Sequence, residues 1–395
     1  MSTLASTDVD LGALFDELAL GAAERDASVG LPHDQVADLK RARIGALRLP
    51  RSSGGQEISL VELFDVVRRL GEADPSVAHA LRNHFGFVEQ TLRTPPNSHR
   101  RRWLQNVADG ELIGGSFSEA QTPKAGTTDF TTILTRQDGE YRLSGVKIYS
   151  TGNIYVDHLF VKAVDADGSP VTVAIPSSRA GVDLTDDWDG IGQRLTGSGT
   201  TRYNDVVVHD SELIPPSDFE HESDSYSATF PQLYLTTVIA GIVSNVLSDA
   251  QALVRGRARN YYHGTAEEPR HEEAVQGTVG RISTNSFAIT SAVRSAAASL
   301  EAAWAQPPGQ GREEALLAAS LDSARAKVFV DELAAQTAWL IFELGGGSTP
   351  SRSKNLDRHW RNIRTLSSHN PGSYKLRILG DYELNGTTPP KSSFF

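Results

Sequence analysis

Small hydroxyl side chains recur beside glycines in one stretch of this chain: GGSFSE at Gly114–Glu119, YRLSGVKIYSTG at Tyr141–Gly152 and WDGIGQRLTGSG at Trp188–Gly199. Glycine lets the backbone approach a flat ligand closely, and a Ser or Thr hydroxyl both donates and accepts. Ser150-Thr151-Gly152 is therefore suited to lie against a ring system and exchange a hydrogen bond with it. His84 stands in an apolar stripe with Val77, Leu81, Val88 and Leu92, where a lone histidine is more often a packed core residue than a catalyst. The 11 histidines lack the spacings of a metal site and there is no cysteine, so no metal centre is expected. Any redox chemistry must then use a bound organic cofactor. GSGTTR at Gly197–Arg202 lacks the third glycine of a dinucleotide fingerprint and leads into a strand, so it reads as a turn.

The elements that position these residues follow from periodicity. Leu11, Leu14, Phe15 and Leu18, then Leu60, Leu63, Phe64, Val67 and Leu70, recur at helical spacing, so residues 1–110 read as an N-terminal α-helical domain. Its most informative helix starts at the Asp74-Pro75 cap and stops at Thr94-Pro95-Pro96. Residues 111–216 alternate with period two between Asp, Gly and Pro turns, the pattern of a central β-barrel. Residues 217–228 are acidic and Ser-rich and read as a mobile linker, one suited to cover a site. Residues 229–395 hold three long Ala-rich helical stretches, Leu233–Tyr261, Glu272–Ala305 and Glu313–Leu344, and a shorter one after Asn355, a C-terminal four-helix bundle with its tail. Helices this long with Ala at buried positions predict an oligomer.

At 395 residues the chain exceeds one ordinary core and predicts a multidomain α+β protein. With 38 basic and 49 acidic residues the formal charge is −11, which argues against nucleic-acid and anionic-membrane partners. Met1–Asp10 lacks the basic and apolar regions of a secretory signal, so a cytoplasmic location is expected.

Tyr141–Gly152 resembles the middle domain of the acyl-CoA dehydrogenase superfamily, and the order helices, barrel, bundle resembles its architecture. The run ELGGGSTPSRSKNLDRHWRNIRTLSSHNPGSYK at Glu343–Lys375 looks most like the dibenzothiophene monooxygenase branch of two-component, group D flavin-dependent monooxygenases, above all Asn355–Asn362 and His369–Pro371. The resemblance implies Tyr149 beside the flavin ring and Thr151 at flavin N5, with Ser118 also at the cofactor. It implies Arg259, Arg358, Arg361 and Gly346 around the flavin phosphate, partly across a subunit boundary. His369 matches the active-site histidine of the branch, and His84 lies one turn from its second histidine position, which aligns nearer Val88.

The implied function is a homotetrameric monooxygenase. It takes reduced FMN from a separate NAD(P)H:flavin reductase, forms a flavin C4a-hydroperoxide with O₂, and oxygenates a small substrate, an organosulfur compound first. FAD is the alternative cofactor, and an FAD-dependent acyl-CoA dehydrogenase is the rival activity. No acidic residue stands near His369-Asn370, where the main dehydrogenase branch keeps its base. A flavin-free scaffold is the third reading, and it predicts no reduced-flavin binding.

Overall fold

The structure is a computed structural model that describes residues 10–122, 129–219 and 225–391. The N-terminal helices are α1 (Leu11–Ala19), α2 (Ala22–Ser28), α3 (His33–Arg41), α4 (Leu60–Ala73), α5 (Pro75–Ala80), α6 (Arg82–Arg93) and α7 (Ser98–Ala108). A reciprocal capping box between Ser59 and Glu62 starts α4, which buries Leu63, Phe64, Val67 and Leu70 on its inner face. The Asp74 carboxylate caps α5 by accepting from the Ser76 and Val77 N–H groups at 3.0 and 3.2 Å, and its other oxygen takes Arg25 at 3.0 Å. The sequence predicted one helix from here to Thr94. The chain instead breaks at Leu81 (φ −83°, ψ −4°) into α5 and α6.

The central domain is one curled seven-stranded sheet: β1 (Ile113–Ser116), β2 (Ile133–Gln137), β3 (Glu140–Lys147), β4 (His158–Asp165), β5 (Pro170–Pro176), β6 (Val182–Thr185) and β7 (Thr200–Val208). The order is β1-β4-β2-β3-β7-β6, with β5 antiparallel to β4 and β1 parallel to it. Leu143, Val161, Val173, Ile175 and Val206 point inward and are fully buried. Lys147, at the end of β3, buries its ammonium 2.7 Å from Glu119 Oε1 and 3.9 Å from the centroid of the Phe130 ring. Glu119 also accepts from the Thr131 and Thr132 N–H groups, which holds the entry to β2 against the end of GGSFSE.

The last domain is α8 (Ser225–Arg255), α9 (Glu273–Ala305), α10 (Gln310–Leu340), α11 (Asp357–Ser367) and α12 (Gly372–Asn385). Part of the expected 217–228 loop, residues 220–224, lies outside the described residues. The remainder corrects that expectation: Pro216–Phe219 is a 3₁₀ turn, and α8 already begins at Ser225. The same helix ends earlier than predicted, at Arg255 rather than Tyr261, because Gly256 follows and the chain turns away. Helix α8 is long and apolar enough to cross a membrane by length and composition, yet it is the central helix of this fold, with Leu233, Val238, Ile242 and Val246 buried. It crosses α4 backbone to backbone: a Cβ at Gly241 would lie 2.3 Å from the Arg68 carbonyl oxygen.

Candidate active site

The turn after β3 is set by two left-handed residues, Tyr149 at φ +53° and Gly152 at φ +84°. At Gly152 a side chain has no room, since a Cβ would fall 2.2 Å from the Ala80 carbonyl oxygen at the end of α5. The turn is pinned by Gly152 N–H donating to the Thr196 carbonyl at 2.9 Å and Ser150 N–H to that of Gly199 at 3.0 Å. Tyr149 is exposed, with its ring edge-on to Trp188 at 6.0 Å. Ser118 is exposed beside this turn, where its carbonyl accepts from Ile148 N–H at 2.9 Å.

Thr151 is buried and opens a chain of hydroxyls. Its Oγ1 lies 2.8 Å from Ser198 Oγ, which lies 2.6 Å from Thr196 Oγ1, which donates to the Gln193 carbonyl at 2.8 Å. A hydroxyl has one proton to give. Thr196 spends its proton on the carbonyl, so Ser198 must donate to Thr196 and Thr151 to Ser198. The lone pairs of Thr151 Oγ1 are what remains for a ligand, so this residue is an acceptor. The resemblance implies a hydrogen-bond donor near N5 and C4a at this position, and the relay corrects that direction.

Above this turn stand α5 and α6. Asn83 Nδ2 donates to the Thr151 carbonyl at 3.2 Å. One residue earlier, Arg82 Nη1 donates to His369 Nε2 at 3.0 Å. An arginine cannot accept, so this contact assigns the His369 proton to Nδ1. Crowding by protein first, and the Arg82 charge next, hold the His369 pKa well below the ordinary histidine value. His369 keeps an exposed surface, as a side chain on the wall of a cleft does. His79 Nδ1 lies 3.0 Å from Gln193 Oε1, and burial followed by the Arg82 charge lowers its pKa to about 3. Gln193, at φ +54°, is held by the Asn362 side chain, which accepts its N–H at 2.6 Å. Thr151, His79, Arg82, Gln193 and His369 thus converge where all three domains meet. Sequence reasoning found two of the five. His79, Arg82 and Gln193 carried a partial signal, since the first two sit at the Asp74-capped turn and Gln193 within WDGIGQRLTGSG.

His84 does not join them, which corrects its assignment as a candidate catalyst. It is 1% exposed, accepts from Ile113 N–H at Nδ1 (3.1 Å) and meets the Gly45 carbonyl at Nε2 (3.2 Å). Both ring nitrogens are committed to backbone, and burial lowers its pKa to about 4. His84 is a joint between α6, β1 and the turn after α3.

The arginines are corrected too. Arg361 donates to Asp26 and Asp357 at 2.7 Å, to Asn355 at 2.9 Å and to the Ile191 carbonyl at 3.1 Å. Arg358 is taken by Asp249, Asn245 and the Asn355 carbonyl, and His359 by Asp249 at 2.8 Å. The NLDRHWRN block is therefore a charged latch that ties α11 to α2, α8 and the 188–193 loop around a cavity of about 190 Å³. The Nη2 of each arginine is committed to a carboxylate of this chain. Arg259 lies past the end of α8 rather than within it, exposed and without an ion pair among the described residues. Gly346, at φ +59°, packs on Tyr261 in that same loop.

Three layers meeting at a flat, hydroxyl-rich turn under a histidine-bearing helical loop define a flavoprotein fold of known type. The acyl-CoA dehydrogenase N-terminal domain matches residues 14–111, and the acyl-CoA dehydrogenase C-terminal domain matches residues 233–373. The chain belongs to the acyl-CoA dehydrogenase family, in its dibenzothiophene monooxygenase-like branch. A probable FMNH2-dependent monooxygenase of Pseudomonas putida is 29% identical over 96% of this chain and 95% of its own. The methanesulfinate monooxygenase MsuC of Pseudomonas fluorescens superposes with a TM-score of 0.87 at 28% identity, over 98% of this chain and all of that one (100%). FMN-bound TdsC, a dibenzothiophene monooxygenase from Paenibacillus, superposes with a TM-score of 0.88 at 25% identity over 98% of both chains.

Proposed function

We propose that this protein is the oxygenase component of a two-component monooxygenase. A separate NAD(P)H:flavin reductase supplies reduced FMN, and a small substrate, an organosulfur compound, takes one atom of O₂. The observation that carries the reading is the cleft beside Thr151: among the described residues its polar side chains are His79, Arg82, Gln193 and His369, and none is a carboxylate able to remove an α-proton. Asp74 is tied to Arg25, Asp26 to Arg361, Glu89 to Arg48 and Asp331 to Lys327, while Asp187, next to Trp188, accepts from the Thr200 N–H and hydroxyl. When bound, reduced FMN supplies the two electrons that activate O₂.

The residues present fit that cofactor. An acceptor at Thr151 Oγ1 suits the N5–H that only reduced flavin offers, and Tyr149 with Trp188 gives an aromatic wall beside the ring. The side-chain oxygen of Ser150 is buried beside them without a partner among the described residues. The phosphate anchors belong to the reading of a homotetramer, in which Arg259 and Gly346 of a neighbouring copy reach the flavin tail. A cytoplasmic location goes with it, because the reductase draws on NAD(P)H.

Purified protein titrated anaerobically with reduced FMN, then mixed with O₂ and substrate, tests this. We expect saturable binding of reduced FMN and product formed in place of hydrogen peroxide. Flavin bleached by an acyl-CoA in the absence of O₂ would instead establish the dehydrogenase reading.

A further inference from the structure

Arg82 differs from the other arginines that this fold encloses. Arg25, Arg48, Arg179, Arg358 and Arg361 each hold a carboxylate within 3.0 Å. Arg82 has none among the described residues, and its short hydrogen bond goes to His369 Nε2 at 3.0 Å. Its Nη2 makes a long contact of 3.5 Å with the side-chain oxygen of Asn83, whose Nδ2 donates to the Thr151 carbonyl at 3.2 Å. One line of contacts therefore runs from the Thr151 turn through Asn83 and Arg82 to His369. Burial presses the Arg82 pKa down to about 10, so the guanidinium is charged at neutral pH and can only donate. The backbone of His369 is fixed as well: its N–H donates to the Leu366 carbonyl at 3.2 Å, and the next residue, Asn370, donates from Nδ2 to Gln232 Oε1 at 2.9 Å.

We propose that Arg82 is a positioning residue for His369: by donating to Nε2 it keeps the single imidazole proton on Nδ1, on the ring edge turned away from Arg82, and shuts out a second proton. That second proton would have to sit on Nε2, facing a guanidinium N–H at contact distance. Crowding by protein, then Arg82 of α6, His79 of α5 and Lys327 of α10, all hold the ring below the ordinary histidine value, and none of the three is an acid. Asp331 pairs with Lys327 at 2.7 Å, Lys375 of α12 bears on that pair, and α8 adds neutral Gln232 through Asn370. A neutral Nδ1–H donates a hydrogen bond without giving up its proton, whereas an imidazolium is an acid. The use of this lock rests on the oxygenase reading above. With a donor and no acid in the cleft, activated oxygen is kept for the substrate. An imidazolium there would protonate it, and reduced FMN and O₂ would end as oxidised FMN and hydrogen peroxide.

Histidine labelled isotopically in the ring reports charge and tautomer by NMR in the protein without flavin, and His369→Gln identifies the signal. In the parent, the His369 signal should stay at its neutral position from about pH 8 to about pH 5.5, with the proton on Nδ1. In Arg82→Met it should titrate near the ordinary value of about 6.5 and divide its proton between the two nitrogens. Arg82→Lys should hold it neutral again, because an ammonium also donates and carries charge. With reduced FMN and O₂ alone, Arg82→Met should release hydrogen peroxide at least about tenfold faster at about pH 5.5 than at about pH 8, while the parent changes by less than about threefold. A parent whose His369 titrates near 6.5, or carries its proton on Nε2, overturns the proposal whether or not flavin binds. Arg82→Met with charge and tautomer unchanged also overturns it, by assigning the neutral ring to burial alone. Spectra that show the lock in a parent that binds no reduced FMN leave the lock standing and sink the oxygenase reading.

Discussion

At the scale of single residues, the direction of one hydroxyl relay decides what Thr151 can do. Removing Ser198 as acceptor frees the Thr151 proton, so Ser198→Ala should raise hydrogen peroxide release at the expense of product by about 3- to 10-fold, the worth of one neutral hydrogen bond. Oxygen uptake compared with product yield measures it. Thr151→Ala should uncouple more strongly, and His369→Ala should cut coupled product while reduced FMN still binds. The buried histidines give a pH signature. His79, His84 and His359 have folded pKa values of about 3, 4 and 4, below the ordinary 6.5. Between those values and 6.5 the unfolded chain binds protons that the folded one refuses, so stability is full above pH 6.5 and falls as the pH drops through that window. Each histidine contributes a loss of about 2 kcal/mol between pH 7 and pH 5. Urea melts across this range should show His84→Gln with a slope shallower by about one proton, because an amide can serve both backbone partners without titrating.

At the scale of elements, the site is held by contacts that leave no slack. Helix α8 and helix α4 touch through backbone, with a Cβ at Gly241 placed 2.3 Å from the Arg68 carbonyl oxygen and 2.7 Å from the Glu72 nitrogen. Gly241→Ala should therefore destabilise by about 1–3 kcal/mol, the ordinary cost of overpacking, and lower the thermal midpoint. The Lys147–Glu119 pair is fully enclosed, so Lys147→Met should cost about 3–5 kcal/mol by stranding the carboxylate, and adding Glu119→Gln should recover part of it. Denaturant midpoints of the single and double variants separate these outcomes. The break at Leu81 matters in the same way. His79 at the end of α5 and Arg82 at the start of α6 flank the break, and they meet Gln193 and His369 respectively.

At the scale of the whole molecule, Phe287 on α9 and Trp339 on α10 are 76% and 64% exposed in the single chain, and Leu384 on α12 is 84% exposed. Large apolar side chains on outer bundle faces are what the proposed tetramer would cover. Light scattering should give a mass several times that of one chain. Phe287→Glu with Trp339→Glu should lower that mass and weaken reduced-FMN binding together, if Arg259 and Gly346 act across the boundary. Local pattern was enough for much of this molecule. Period-two and helical spacing announced sheet and helices, the Asp74-Pro75 cap announced α5, and the glycine-hydroxyl run announced Thr151, because each is written in neighbouring residues. What spacing could not supply were the partners. His84 and His79 look alike on paper, and only packing gives one two backbone contacts and sends the other to the cleft. Arg358 and Arg361 look like phosphate anchors until Asp249 and Asp26, distant in the chain, consume their donors. Arg82 stands out only because folding brings it a histidine and no acid, since the energy of a buried charge is set by what the tertiary structure places around it.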